Sequence, residues 1–166
     1  MTDKKTTGGS VSVRETLTLS SGVVLECRAI ATDVWVDALS KVSEPKPPTV
    51  LIESTGRYEE NDSDPDYIAA KRAYHVKHNE ASKRAAYVLG TRVLEVPADM
   101  ARADSEEWAE ERAFLGYSAP TKIDALYDWL RIKAAPSSAD MVEIMRTVGR
   151  LTSTREQDVM EALKSA

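Results

Sequence analysis

An α+β fold, mainly helical, is predicted by three features of the 166-residue chain. A period-two stretch around a glycine turn comes first, strong start and stop signals frame one long helix in the middle, and helical spacing fills the last third. The expected organisation is a flexible polar tail over residues 1–10, a hairpin region with the long central helix over 11–97, and a C-terminal lobe of short helices over 98–166.

The opening residues are charged, hydroxylated or glycine, so they bury too little surface to offset the entropy of ordering. From Val11 the pattern alternates. Leu17, Leu19, Val23, Leu25 and Cys27 form one apolar face about the turn Ser20-Ser21-Gly22, a hairpin that must lie on something because two strands alone are marginal in water. A short helix follows, with Thr32 or Asp33 as its cap and Val34, Trp35, Ala38 and Leu39 facing inward. Pro45, Pro47 and Pro48 then fix φ and remove donors, which makes an extended connector. Thr49-Val50-Leu51-Ile52-Glu53 and Arg57-Tyr58-Glu59 about Gly56 predict a second hairpin.

Asp64 before Pro65 is the clearest helix start, since the carboxylate accepts from free N–H groups and proline suits the first helical position. The helix is predicted over 65–89, with Gly90 as a left-handed C-terminal cap. Val93-Leu94-Glu95-Val96 is a short extended piece. Ser105 and Thr121 start the next two helices, and Ser137 starts a third that carries Met141, Ile144, Met145 and Val148 at helical spacing. Ser153 with Glu156 and Thr154 with Gln157 have capping-box spacing, which predicts a separate last helix with Val159, Met160 and Leu163.

Composition narrows the function. The charge of −5 argues against a general binder of nucleic acid or anionic membrane, which gains affinity by neutralising phosphates. The single cysteine excludes an intrachain disulfide framework, and the chain has neither an export segment nor an apolar run of spanning length, which points to the cytoplasm.

Candidate chemistry is thin. His75 and His78 share a helix face but lack a third ligand, and Asp62, Asp64 and Asp66 lack the glycine and glutamate of a calcium loop. No nucleophile elbow or phosphate-binding loop is present, Cys27 reads as a core residue, and Glu106, Glu107, Glu110 and Glu111 read as a solvated face. No catalytic residue, metal or cofactor is assigned. Lys71, Arg72, Lys77, Lys83 and Arg84 with Tyr74 and Tyr87 raise a nucleic-acid reading, which one basic helix without a recognition module disfavours; the acidic stretch 95–111 is a candidate to neutralise it within the fold. Trp35, Trp108 and Trp129 read as core anchors. The adaptable thioethers of Met141, Met145 and Met160, with Val148 and Leu163, make the candidate partner-binding surface.

The order of these pieces carries a resemblance. The hairpin from Leu17 through Gly22 to Glu26, the segment Pro45-Lys46-Pro47-Pro48-Thr49-Val50, the helix start Asp64-Pro65-Asp66-Tyr67, and Val96-Pro97-Ala98-Asp99 before a helical end resemble the tail assembly chaperones of long-tailed bacteriophages and prophages. The resemblance implies a non-enzymatic factor in the host bacterial cytoplasm. Such a factor coats the tape measure protein, helps tail tube protein gather on it, and leaves before the virion is complete. The family's genes commonly make a longer product by ribosomal slippage, and Leu163-Lys164 can be encoded by a slippery heptamer. A virion structural protein, such as a tail-completion or head-to-tail joining component, shares the same mixed composition. A small nucleic-acid-binding regulator is the remaining alternative.

Overall fold

The computed structural model describes residues 14–164, apart from the side chains of Ala162 and Leu163. The tail expected over 1–10 lies outside these residues.

Two strands, β1 (Arg14–Thr18) and β2 (Val24–Arg28), form the first hairpin, with Leu17 opposite Leu25 and Thr16 opposite Glu26. Gly22 makes the turn at φ +85°, a conformation glycine adopts at no steric cost. The apolar face is the expected one, with Leu19, Val23, Leu25 and Cys27 buried. A third strand, β5 (Thr91–Glu95), pairs antiparallel with β2 and places Cys27 opposite Thr91. The piece read as merely extended thus completes a three-stranded sheet, ordered β1-β2-β5.

Helix α1 (Thr32–Ser40) follows β2, but its N-cap is Ala31 and no side chain caps it. Val34 is exposed rather than inward, while Trp35 packs partly against the core. Beyond the proline connector, β3 (Thr49–Ile52) and β4 (Arg57–Glu60) form the second hairpin, with Leu51 opposite Tyr58 and both exposed.

Helix α2 (Pro65–Gly90) starts as its sequence demands, with Asp64 accepting from the N–H groups of Asp66 and Tyr67 at 3.0 and 2.9 Å. Its buried residues are Ala85, Ala86, Tyr87 and Gly90, so burial is confined to the last two turns. Gly90 is not a left-handed cap. It remains helical because the chain enters β5 directly, and its missing side chain serves packing: a Cβ there would stand 2.5 and 2.8 Å from the two Val148 methyls.

The C-terminal part contains α3 (Glu106–Phe114), capped by Ser105, and α4 (Lys122–Trp129), capped by Thr121 in a capping box with Asp124. A π-helical turn, Leu130–Ala134, brings the chain to Pro136 and into α5 (Ser138–Lys164). The separate last helix is absent; α5 is continuous for 27 residues. Ser153 and Thr154 donate their hydroxyls to the carbonyls four residues back, Gly149 and Arg150, each at 3.1 Å, instead of capping a new start.

One buried cluster joins the sheet, the end of α2, α3, α4 and α5, with Trp108 and Trp129 nearly inaccessible. Their indole N–H groups donate to the carbonyls of Ala125 and Ala101 at 3.2 and 2.7 Å, which removes the cost of burying a donor. Asp140 ties the first hairpin to α5. It accepts from the Ser20 N–H at 2.9 Å, the Ser20 hydroxyl at 2.5 Å and the Ser137 hydroxyl at 2.6 Å. Burial alone raises its pKa, but the hydrogen bonds from Ser137 and Ser20 outweigh burial and hold it below the usual value.

Two predictions test this packing. Gly90→Ala gains helix propensity but drives a methyl into buried Val148, so chemical denaturation is expected to show a net loss of about 1–3 kcal/mol, the usual cost of overpacking. Because Asp140 titrates lower when folded, its contribution is complete above the ordinary aspartate range and is lost as pH falls through its lowered pKa. Urea melts of the native chain and Asp140→Asn from pH 7 to about pH 2.5 are expected to differ most at neutral pH and converge in acid.

Candidate partner-binding groove

The residues proposed as a partner surface differ in burial. Val148 is fully buried against Gly90 and serves the crossing of α2 with α5. Met141 and Met145 pack partly against the core. Met160 is exposed, and the side chain of Leu163 lies outside the described residues. The division has a simple cause: after Leu151, the last buried residue described in α5, the helix leaves the core through the polar run 152–158, and apolar residues return only at Val159 and Met160.

Where α5 emerges, the N-terminal end of α1 reaches it, while the helix itself packs chiefly on α2. The Ile30 N–H donates to the Thr152 hydroxyl at 3.1 Å, and one turn further the Thr32 hydroxyl donates to Glu156 Oε1 at 2.5 Å. Residues 152 and 156 are neighbours on a helix face, so these two bonds hold the lead-in of α1 along α5. Between them lies a cavity of about 260 Å3 lined by Thr32, Trp35, Gly149, Thr152, Ser153 and Glu156. Gly149, Ser153, Glu156 and Met160 lie within about 60° of one another around α5 at 100° per residue, so the cavity opens onto the face that carries Met160. Sequence reasoning missed this groove. Its signal was the unusual run Gly149, Thr152 and Ser153 in a helix interior, small residues opposite a tryptophan.

The other candidates resolve into packing. Cys27 is buried in the sheet, and burial, assisted by Glu15 and Glu143, pushes its thiol up to about 11, so it stays protonated at neutral pH. Tyr127 donates to Glu80, and burial followed by that carboxylate raises its pKa further. Arg84 pairs with Asp124 at 2.5 Å and Lys83 with Glu80 at 2.5 Å, so the end of α2 is balanced by its own helix and α4 rather than by residues 95–111. Within that acidic stretch, Glu111 pairs instead with Lys133 at 2.7 Å. His75 and His78 both lie beside Tyr74, with ring centroids 5.4 and 5.5 Å away. Among the described residues, no three His, Cys, Asp or Glu side chains cluster to hold a metal ion. No helix among the described residues is long and apolar enough to cross a membrane.

No protein family, curated protein or solved structure matches the chain. What the geometry can do follows from its own chemistry: an exposed helix face that carries Met160, with a half-buried aromatic ring and a carboxylate lining one groove, suits the docking of another segment.

Proposed function

We propose that the protein is a tail assembly chaperone of a long-tailed bacteriophage or prophage. It is a non-enzymatic factor of the host bacterial cytoplasm that binds tape measure protein and assists assembly of the tail tube. The observation that carries the reading is the open face of α5. Beyond Thr152 the helix has no buried side chain among the described residues, and Val159 and Met160 are 52% and 55% exposed, Met160 one turn on from Glu156 of the groove.

A tape measure client is long, helical and prone to aggregation, and an amphipathic segment of that kind is bound by laying its apolar face against a complementary groove. Methionine suits such a surface because its flexible thioether adapts to different neighbours. The reading also rests on the resemblance, whose motifs fall at the first hairpin, the proline connector, the start of α2 and the entry to the C-terminal helices.

The test is co-expression with the product of the long, helix-rich open frame expected downstream of this gene. The client is expected in the soluble fraction with the native protein and in the pellet with Val159→Asp/Met160→Asp, whose substitutions touch only exposed positions of α5. A client equally insoluble with both proteins overturns the reading. So does finding abundant copies of this chain in purified mature virions, the result a structural component gives.

A further inference from the structure

We propose that the cavity between α1 and α5 takes a cationic side chain, lysine or arginine, from the segment that docks on α5, with the Trp35 indole against its methylenes or charged head and Glu156 as its counter-charge. This deepens the chaperone reading and rests on it for the identity of the segment.

Size comes first. At about 260 Å3 the space is smaller than the roughly 300–1,000 Å3 of small-molecule and cofactor clefts, and it accommodates one long side chain. Its wall is built to receive one. A Cβ at Gly149 would meet nothing within 4 Å, so the helix leaves open space where another residue would fill it.

The polar groups then select the charge. The Thr152 hydroxyl donates to the Val148 carbonyl at 2.8 Å while accepting from Ile30, and the Ser153 hydroxyl donates to the Gly149 carbonyl. Both hydroxyls are thereby engaged within the fold. Glu156 differs: Thr32 fixes Oε1, whereas none of the described residues donates to Oε2 or forms an ion pair with Glu156. A fixed carboxylate with an unused oxygen, beside an indole face, is the pairing that attracts an ammonium or guanidinium, because ring quadrupole and counter-ion act in the same direction. Among the described residues, the arginines of α5 do not supply it. Arg146 and Arg150 of α5 are engaged by Glu143 and Glu15, and Arg155 stands about 100° around the helix from Glu156.

Trp35 provides the readout, since Trp108 and Trp129 are nearly inaccessible whereas Trp35 borders the cavity. Its indole N–H resonance, assigned with Trp35→Phe, is followed by NMR during titration with an alanine-rich amphipathic helical peptide carrying one central lysine. A matched peptide with norleucine in that place is the control. The lysine peptide is expected to bind at least fivefold more tightly and to shift the Trp35 signal. Glu156→Gln is expected to remove that preference, and Gly149→Met to abolish the Trp35 shift while the melting temperature is kept or raised. Equal binding of the two peptides, or no shift of Trp35 with either, overturns the assignment. Failure of the native protein to keep its client soluble, with the lysine preference intact, overturns the chaperone reading alone; client rescue with no lysine preference overturns the groove assignment alone.

Discussion

The close crossing of α2 and α5 at Gly90 and Val148 sets the positions of everything around it. A side chain at residue 90 would also approach Ile30 Cδ1 to 3.3 Å, so the segment after β2, α2 and α5 converge on the volume that a single glycine leaves free. Ile30 is the residue whose N–H anchors the lead-in of α1 to Thr152. The crossing therefore fixes the sheet against α5 and at the same time brings the start of α1 to it. Interiors packed at crystal-like density transmit such constraints, because a displaced methyl has no empty space to enter.

From that crossing the molecule divides into a rigid base and projecting parts. Asp140 secures the base at the start of α5, where it receives three side-chain and backbone donors from Ser20 and Ser137, and the buried tryptophans fill the space beneath. Two parts extend from it. The first sixteen residues of α2 with the β3–β4 hairpin bury no side chain, and beyond Thr152 α5 likewise exposes Val159 and Met160. The second of these is bordered by α1, which converts an exposed helix face into a groove with a defined wall and a fixed carboxylate. The arm has a groove of its own, where Lys41, Val42 and Pro45 border Ala70, Ala73 and Tyr74 of α2, but no carboxylate lines it; docking is assigned to α5 because its groove holds Glu156 and Trp35 together.

Local signals in the sequence were transparent and long-range ones were not. Asp64, Ser105 and Thr121 cap helices as their neighbours predict, because a cap involves residues two or three apart. The alternation around Gly22 likewise contains its own partner strand. Gly90 was opaque: a glycine at a helix end suits a left-handed cap, and only the distant Val148 explains why it is helical. Ser153 and Thr154 satisfied a capping pattern that hydroxyls back-bonded within one helix satisfy equally well. Val148 carried the spacing of a binding face, yet its burial depends on α2, more than fifty residues earlier. The candidate site was partly legible for the same reason. Met160 was singled out from helical spacing, whereas the groove requires Trp35 and α5 to be neighbours, which no local pattern encodes.

The central claim is that the α2–α5 crossing leaves the far half of α5 and the adjoining α1 as the docking face. Hydrogen exchange of the backbone amides, measured with and without the soluble client complex, tests it most directly. The account predicts slower exchange on complex formation over residues 152–161 and 32–40, with little change in the β3–β4 hairpin. Protection confined to that hairpin and the first half of α2, with α5 unchanged, contradicts it.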